Sequence, residues 1–235
     1  AGQESRRKAI GPDAPVVLLN GGKMSKSYMM ARWFWRAGYK VVLVETDKYW
    51  LSGARWSRAV TAFETVPCPR IDPKGYVDGL VRVADKYRAR FFVPVSSPVS
   101  SVSDSAAKPG LEAVGCRVLH FDLGMCEQLD NKHDFCQLAK QLGLTSPESF
   151  HVPDEATARQ LNNDLQSAGH SPMTPRGTQF ILKNLQYDPV HRLDMFKLPC
   201  ETSKLDAYLS RLRADGTQIT PEQPWQLQQF IQGTR

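Results

Sequence analysis

The sequence predicts an α/β protein with two parts, a Rossmann-like domain followed by an α+β domain. In the first half, strand-like apolar runs alternate with helical patterns, which is the order of βαβ units and indicates a parallel sheet. From Gly124 onward the order changes to helix, strand, loop and strand, with breaker-rich connections at 172–177 and 215–224. We therefore assign residues 1–14 to a tail, 15–122 to the first domain and 123–235 to the second.

The first domain begins with a strand, turn, helix and strand. Residues 16–19 form a short apolar run that ends in a Gly-Gly turn, and a second strand at 41–44 ends in Glu45. Between them, Met29, Met30, Trp33 and Ala37 recur at helical spacing, which predicts that Trp33 packs into the core. The further elements predicted are strands at 63–66, 91–95 and 117–121 and helices at 72–87 and 104–114.

Polar residues follow several of these strands and mark a candidate substrate site. Ligands of parallel α/β sheets bind beyond the carboxyl ends of the strands, so we expect Gly21, Gly22, Glu45, Ser96 and Ser97 to meet there. The two glycines lack the full G-x-G-x-x-G spacing, and a tight structural turn is an equally good interpretation of them.

Two lysines of the second domain suggest an anion site. Residues 180–185 form a strand whose period-two alternation places Lys183 between Ile181 and Leu185, where an ammonium needs a compensating anion. A lysine that extends to solvent from an edge strand is the alternative. Lys132 falls in the first turn of a helix capped by Asp130, a position that normally favours carboxylates, so a bound phosphate would suit it.

Composition argues against several other classes of protein. The net charge is +6 with a pI near 9.1, but basic and acidic residues alternate without a long basic run, so we expect no nucleic-acid partner. The five scattered cysteines predict neither a disulfide framework nor a metal cluster and favour a reducing, cytoplasmic location. No apolar run is long enough to span a membrane.

One short motif matches a different class of enzyme. Residues 23–27, Lys-Met-Ser-Lys-Ser, match the signature loop of class I aminoacyl-tRNA synthetases, but they follow the first strand and have no His-x-Gly-His sequence before them. We interpret them as a helix start, with Ser25 or Ser27 as the cap and both lysines in solvent.

From about residue 14 to the last, the chain resembles the ATP-grasp superfamily, and within it the mycosporine-glycine synthase family, whose members join glycine to 4-deoxygadusol. Several of the matching segments are unusual, and they occur in the same order. They are residues 21–24, 48–53, 93–99, 129–132, 187–193, 197–200 and 229–233. The resemblance implies a pre-ATP-grasp domain followed by an incomplete ATP-grasp domain.

The resemblance also implies an activity and a set of roles. ATP would phosphorylate an enolic or carboxylic oxygen of a small-molecule acceptor, and an amino acid would then displace phosphate as the amine. Lys132 and Lys183 would contact the ATP phosphates. The hinge residues that hydrogen-bond adenine through their backbone would be Gln228, Gln229, Phe230 and Ile231.

Catalytic and metal roles complete this hypothesis. Arg192, just beyond the Lys183 strand in a loop without glycine, is our candidate for the transferred phosphoryl group. The family places its Mg²⁺ ligands further along, so we expect them beyond Arg235 and do not expect this piece to turn over alone. Another ATP-grasp ligase that forms a peptide-like amide, or a non-catalytic nucleotide-binding module, remains an alternative.

Overall fold

The computed structural model describes residues 10–95, 100–167, 178–185 and 193–231. The chain divides into two compact units, Ala1–Glu127 and Gln128–Arg235. The first is built on a parallel sheet and the second on an antiparallel sheet, so the mixed α/β prediction is confirmed. The domain boundary predicted after residue 122 stays a prediction.

The first unit alternates strands and helices. Its strands are β1 (Val16–Leu19), β2 (Lys40–Thr46), β3 (Ala62–Val66), β4 (Ala89–Val93) and β5 (Arg117–Val118). Its helices are α1 (Ser25–Arg36), α2 (Pro73–Tyr87), α3 (Ser101–Ala106) and α4 (Lys108–Ala113), and α5 (Leu123–Asp130) follows. Two 3₁₀ turns, Asp47–Tyr49 and Gly53–Trp56, connect β2 to β3.

Apolar side chains cover the parallel sheet on both faces. The strand order is β3-β2-β1-β4-β5, and every neighbouring pair is parallel. Leu18 and Phe92 pack on one side with residues of α2 and α4, and Leu19 and Leu43 pack on the other with Ala31 of α1. Burial of both faces is typical of parallel sheets, because their crossover helices cover them.

Two helix predictions for the first unit need correction. The helix predicted at 104–114 is two helices, α3 and α4, because Pro109 has no N–H and cannot continue the hydrogen-bond ladder of a single helix. Trp33 is 63% exposed and does not pack into the core. The face of α1 that meets the sheet carries Ser27, Ala31 and Phe34, at helical spacing, and Trp33 lies off this face, toward solvent.

The described residues of the second unit that follow α5 form three helices and four strands. In chain order they are α6 (Lys132–Gln141), β6 (Ser149–Val152), α7 (Glu155–Ser167), β7 (Phe180–Asn184), β8 (Phe196–Leu198), α8 (Thr202–Ala214) and β9 (Trp225–Gln229). The strands form an antiparallel sheet in the order β6-β9-β7-β8. β7 and β9 are therefore interior strands.

The two faces of this antiparallel sheet differ in chemistry. Leu182, Trp225 and Leu227 face the core, where they pack with Leu205 and Leu209 of α8. The opposite face, which we call the polar face, follows from the strand register and the alternation of side chains. It carries Ser149, His151, Ile181, Lys183, Lys197, Gln226 and Gln228.

Among the described residues, no helix combines the length and the apolar character needed to cross a bilayer.

Candidate nucleotide-binding site

Lys183 lies in the middle of the polar face. It is opposite Gln226 on β9, it is half-buried, and its Nζ donates a hydrogen bond to Oε1 of Gln228 at 3.3 Å. Because β7 has a strand on each side, Lys183 is not an edge-strand lysine. A cation held in this way on an interior strand can bind an anion above the sheet.

Lys132 lies close to the end of the same strand. Its Nζ donates to the carbonyl oxygens of Leu185 at 2.8 Å and Asn184 at 3.2 Å. Although the residue is exposed as a whole, burial of its ammonium lowers the pKa of Lys132, and the nearby charge of Lys183 lowers it further, whereas Asp130 raises it. The fold thus brings together the two lysines that the sequence singled out, 51 positions apart by their numbers (183 − 132).

The helix that carries Lys132 has a different cap from the one predicted. Oδ1 of Asn131 accepts hydrogen bonds from the backbone N–H groups of His133 at 2.9 Å and Asp134 at 3.3 Å, so Asn131 is the N-cap. Asp130 is the last residue of α5, so its prediction as the cap is wrong. Lys132 is still in the first turn, as predicted, with its side chain turned to the end of β7.

Two residues of the site, Cys136 and Gln226, were not identified from the sequence. The buried thiol of Cys136 on α6 lies 3.5 Å from Nε2 of Gln228 and 3.9 Å from Nε2 of Gln226. Gln226 is only 1% exposed, and its Oε1 has no hydrogen-bond partner among the described residues. A buried amide oxygen without a donor costs free energy, so the site is suited to a ligand with an N–H group. The alternation of Gln226 and Gln228 on β9 is the sequence signal for this face.

The hinge prediction covers four residues that behave differently. The N–H of Gln229 donates to Glu148 O at 2.7 Å, and the N–H of Phe230 donates to Gln179 O at 2.6 Å. Oε1 of Gln229 accepts from the N–H of Glu148 at 3.2 Å. The N–H of Ile231 makes no backbone hydrogen bond within the described part of the chain, and the residue is 61% exposed.

The N–H of Ile231, a predicted hinge residue, is thus a candidate donor to a ligand. Gln228 is the hinge residue whose side chain meets Lys183.

A third cation extends the polar face toward the hinge. Lys197 on β8 is opposite Ile181, and its Nζ lies 4.6 Å above the centroid of the Phe230 ring. The contact is a cation–π interaction, which holds the ammonium near the face that carries Lys183.

The predicted substrate residues of the first unit meet in part. Gly21 has φ of 73°, and a Cβ on Gly22 would lie 3.0 Å from the Phe63 ring and 3.3 Å from Cβ of Glu45. The N–H of Lys23 donates to Oε2 of Glu45 at 2.8 Å, which joins the glycine turn to the end of β2. Gly21 is therefore favoured by its left-handed backbone, and Gly22 by the close approach of Phe63 and Glu45.

Three predicted site residues cannot be placed. Ser96, Ser97 and Arg192 lie outside the described residues.

A buried polar cluster fixes the end of β1 in the same unit. Nδ2 of Asn20 donates to Oδ1 of Asp104 at 2.8 Å and to the hydroxyl of Tyr76 at 3.0 Å, and Oδ1 of Asn20 accepts from Val95 N–H at 2.7 Å. The Tyr76 hydroxyl donates to Asp104 at 2.6 Å. Burial raises the pKa of Tyr76 strongly, and the charge of Asp104 adds to the increase, so Tyr76 remains a donor.

The Lys-Met-Ser-Lys-Ser segment starts α1, as predicted, but its serines do not cap the helix. Met24 occupies the cap position, and no side chain makes a capping hydrogen bond there. Ser27 is fully buried and donates to the carbonyl oxygen of Asn20 at 2.9 Å.

Within the described ranges there is no group of three or more His, Cys, Asp or Glu residues placed to hold a metal ion.

Comparison with known proteins identifies the fold. No protein-family model matches the sequence, and no curated protein matches it. The biotin carboxylase domain of Hydrogenobacter thermophilus 2-oxoglutarate carboxylase, solved with MgADP, ADP and bicarbonate, is 14% identical with a TM-score of 0.60. That match covers 92% of this chain and 44% of the other.

Rhizobium etli pyruvate carboxylase, solved with acetyl coenzyme A, is 16% identical with a TM-score of 0.57, over 92% of this chain and 18% of the carboxylase. The chain thus spans less than half the length of these structures. Biotin carboxylase domains belong to the ATP-grasp superfamily. The chain has the fold of the corresponding part of such a domain.

Proposed function

We propose that this chain is the front part of an ATP-dependent ligase that joins an amine to an acceptor activated by phosphoryl transfer. The observation that carries the proposal is the interior-strand lysine, Lys183, held beside Gln228 and Lys132 on the polar face of the antiparallel sheet. The fold supports it, because a biotin carboxylase domain of the same fold was solved with MgADP.

Each residue of the polar face has a role in this proposal. The ammonium groups of Lys183 and Lys132 bind phosphate oxygens through charge-assisted hydrogen bonds. Oε1 of Gln226 accepts from the exocyclic amino group of adenine, and the N–H of Ile231 donates to the base. The nucleotide supplies the phosphoryl group that activates the acceptor oxygen. The amine then attacks the activated carbon, and phosphate leaves.

The acceptor belongs to the first unit in this proposal, at the carboxyl ends of the parallel strands, where Gly21, Gly22 and Glu45 meet. Ser96 and Ser97 are proposed to complete that pocket. The resemblance of several segments to mycosporine-glycine synthases leads us to propose glycine as the amine and a cyclic enol as the acceptor. We place the enzyme in the cytoplasm, because its five cysteines are free thiols.

Nucleotide binding is tested with Lys183→Ala. A charge-assisted hydrogen bond contributes about 1.5–3 kcal/mol, so the affinity for a non-hydrolysable ATP analogue should fall by roughly ten- to a hundredfold in calorimetry. Lys140→Ala is the matched control, since Lys140 is an exposed lysine of α6. Equal affinity in wild type and Lys183→Ala would contradict the proposal.

Catalysis is tested in the full-length enzyme. Arg192 is proposed to reach the transferred phosphoryl group, so Arg192→Lys should lower turnover much more than it raises the Michaelis constant for ATP. Near wild-type turnover in that variant would remove Arg192 from the catalytic machinery. Nucleotide binding without turnover of any amine and acceptor would instead favour a non-catalytic binding module.

A further inference from the structure

A patch of cations and aromatic rings lies beside the glycine turn of the first unit. It occupies the connection between β2 and β3, and Oγ of Ser52 in that connection donates to the carbonyl oxygen of Gly22 at 3.2 Å. The patch is thus at the carboxyl end of the parallel sheet. We call it the cationic aromatic patch, and its residues are Lys23, Lys48, Tyr49, Trp50, Arg55 and Trp56.

Two ammonium groups share one ring of the patch. Nζ of Lys23 lies 3.8 Å from the centroid of the Tyr49 ring, and Nζ of Lys48 lies 5.6 Å from the same centroid. Two like charges on one ring repel each other, and a bound anion would relieve this repulsion.

Aromatic rings also surround the guanidinium of Arg55. Its Cζ lies 5.8 Å from the Trp50 ring, 5.7 Å from the Trp56 ring and 5.5 Å from the Phe63 ring. One N–H of Arg55 donates to Trp50 O at 3.3 Å, and the other donors of the planar group stay available for a carboxylate. Phe63 packs against the core, so the arrangement is anchored to the sheet.

Within the described part of the chain, neither the charge nor the exposed apolar area of the patch is compensated. Among the described residues, none of Lys23, Lys48 and Arg55 forms an ion pair. Trp50 is 52% and Trp56 is 74% exposed.

The acids of this region do not neutralise the cations. The Glu45 carboxylate is buried and accepts from the N–H groups of Lys23 and Thr46, and the exposed Asp47 makes no ion pair within the described part of the chain.

We infer that the cationic aromatic patch binds the acceptor, and that the acceptor is a ring compound carrying a carboxylate or enolate. The anion is held by Arg55 and the two lysines, and the flat ring of the ligand lies on exposed indole faces. The location agrees with this, because ligands of parallel sheets bind beyond the carboxyl ends of the strands. That the ligand is the acceptor rests on the proposed function, whereas its anionic ring chemistry rests on the patch alone.

The test follows the indole N–H signals of the five tryptophans by NMR as benzoate is added to the whole chain. Saturable shifts confined to Trp50 and Trp56 are expected with benzoate. Benzamide, which has the ring without the charge, and acetate, which has the charge without the ring, should shift these signals at least tenfold less at equal concentration. Shifts that do not saturate, or equal responses to all three compounds, would overturn the inference.

The matched variants are Arg55→Gln and Arg90→Gln. Arg90 is exposed, whereas Arg55 is half-buried; like Arg55 it lies near an aromatic ring, 5.6 Å from that of Phe91, but it is near the amino end of β4. Benzoate affinity should fall about tenfold or more in Arg55→Gln and stay unchanged in Arg90→Gln, with both variants keeping wild-type thermal midpoints. Lys23→Gln serves as a second test at the Tyr49 ring if Arg55→Gln does not fold. Unchanged affinity in Arg55→Gln, or an equal loss in both arginine variants, would contradict the site.

Two further measurements separate this inference from its alternatives. Vesicles of phosphatidylglycerol and phosphatidylcholine are added to the chain. A blue shift of tryptophan emission with vesicles, without saturable binding of benzoate, would assign the patch to a membrane surface and overturn the inference. The affinity of Lys183→Ala for an ATP analogue reports on nucleotide binding alone. If that affinity equals the wild-type value while benzoate binds as expected, the proposed ligase is wrong and the anionic ring site remains.

Discussion

The two sheets of this protein expose their functional residues in different ways. The parallel sheet packs apolar side chains on both faces, and its buried polar side chains, Asn20 and Glu45, lie where strands end. The antiparallel sheet packs one face against helices and keeps the other polar, so Lys183 and Gln228 lie within the strands themselves. In the sequence, candidate site residues of the first unit are therefore found in the loops that follow strands. Those of the second unit are found at alternate positions within the strands.

The largest expected effects test this difference with neighbouring residues. Leu18 and Leu19 face opposite sides of the parallel sheet, and both are fully buried. Leu18→Ala and Leu19→Ala should each lower the free energy of unfolding by about 2–5 kcal/mol. In the antiparallel sheet, Leu182→Ala should cost a similar amount, whereas its neighbour Lys183→Ala should change it by less than about 1 kcal/mol.

Guanidinium titrations followed by amide-resolved NMR measure these changes, because the two units need not unfold together. The comparison is contradicted if either Leu18→Ala or Leu19→Ala leaves the free energy of unfolding nearly unchanged. It also fails if Lys183→Ala destabilises the second unit as much as Leu182→Ala does.

A smaller effect is expected at the polar cluster that ends the parallel sheet. Tyr76→Phe removes the hydroxyl that donates to the buried carboxylate of Asp104, so the unfolding free energy should fall by about 1–3 kcal/mol. Tyr87→Phe is the control, since the Tyr87 hydroxyl also donates to a carboxylate, that of Glu64, at 2.6 Å, but in a more exposed place. It should cost less than about 1 kcal/mol because water can replace the lost hydrogen bond. Equal losses would mean that burial of the cluster does not matter.

The sequence predicts where the helices and strands of this protein lie better than it predicts which side of a helix packs against the sheet. Apolar runs located β1, β2 and β7, and Asp72 was correctly included at the start of the helix it caps, α2. Trp33 was assigned to the core because helical spacing alone does not say which side meets the sheet. Close packing favoured Ser27 and Ala31 instead.

The candidate site was predictable from the sequence where the pattern lies within a single strand. Alternation indicated that Lys183 is half-buried, which agrees with the structure. The contacts of Cys136 with Gln226 and Gln228 depend on how α6 packs on the sheet, and no local pattern reports that packing. The pairing of Asn20 with Asp104 joins residues 84 apart in sequence, so it too required the fold.

The last and smallest expected effect is on the pH dependence of nucleotide binding. Burial and the charge of Lys183 lower the pKa of Lys132 from its usual 10.5, so Lys132 loses its proton at a lower pH than a solvated lysine does. A phosphate is held by the protonated form, so the affinity for an ATP analogue should fall as the pH rises through that lowered pKa. Lys132→Arg should reduce the fall, because a guanidinium stays charged up to about pH 12. Calorimetry from about pH 7 to about pH 10 compares wild type, Lys132→Arg and the exposed-lysine control Lys140→Arg. If all three give the same pH profile, Lys132 does not bind the phosphates, and the ammonium serves only the carbonyl groups at the end of β7.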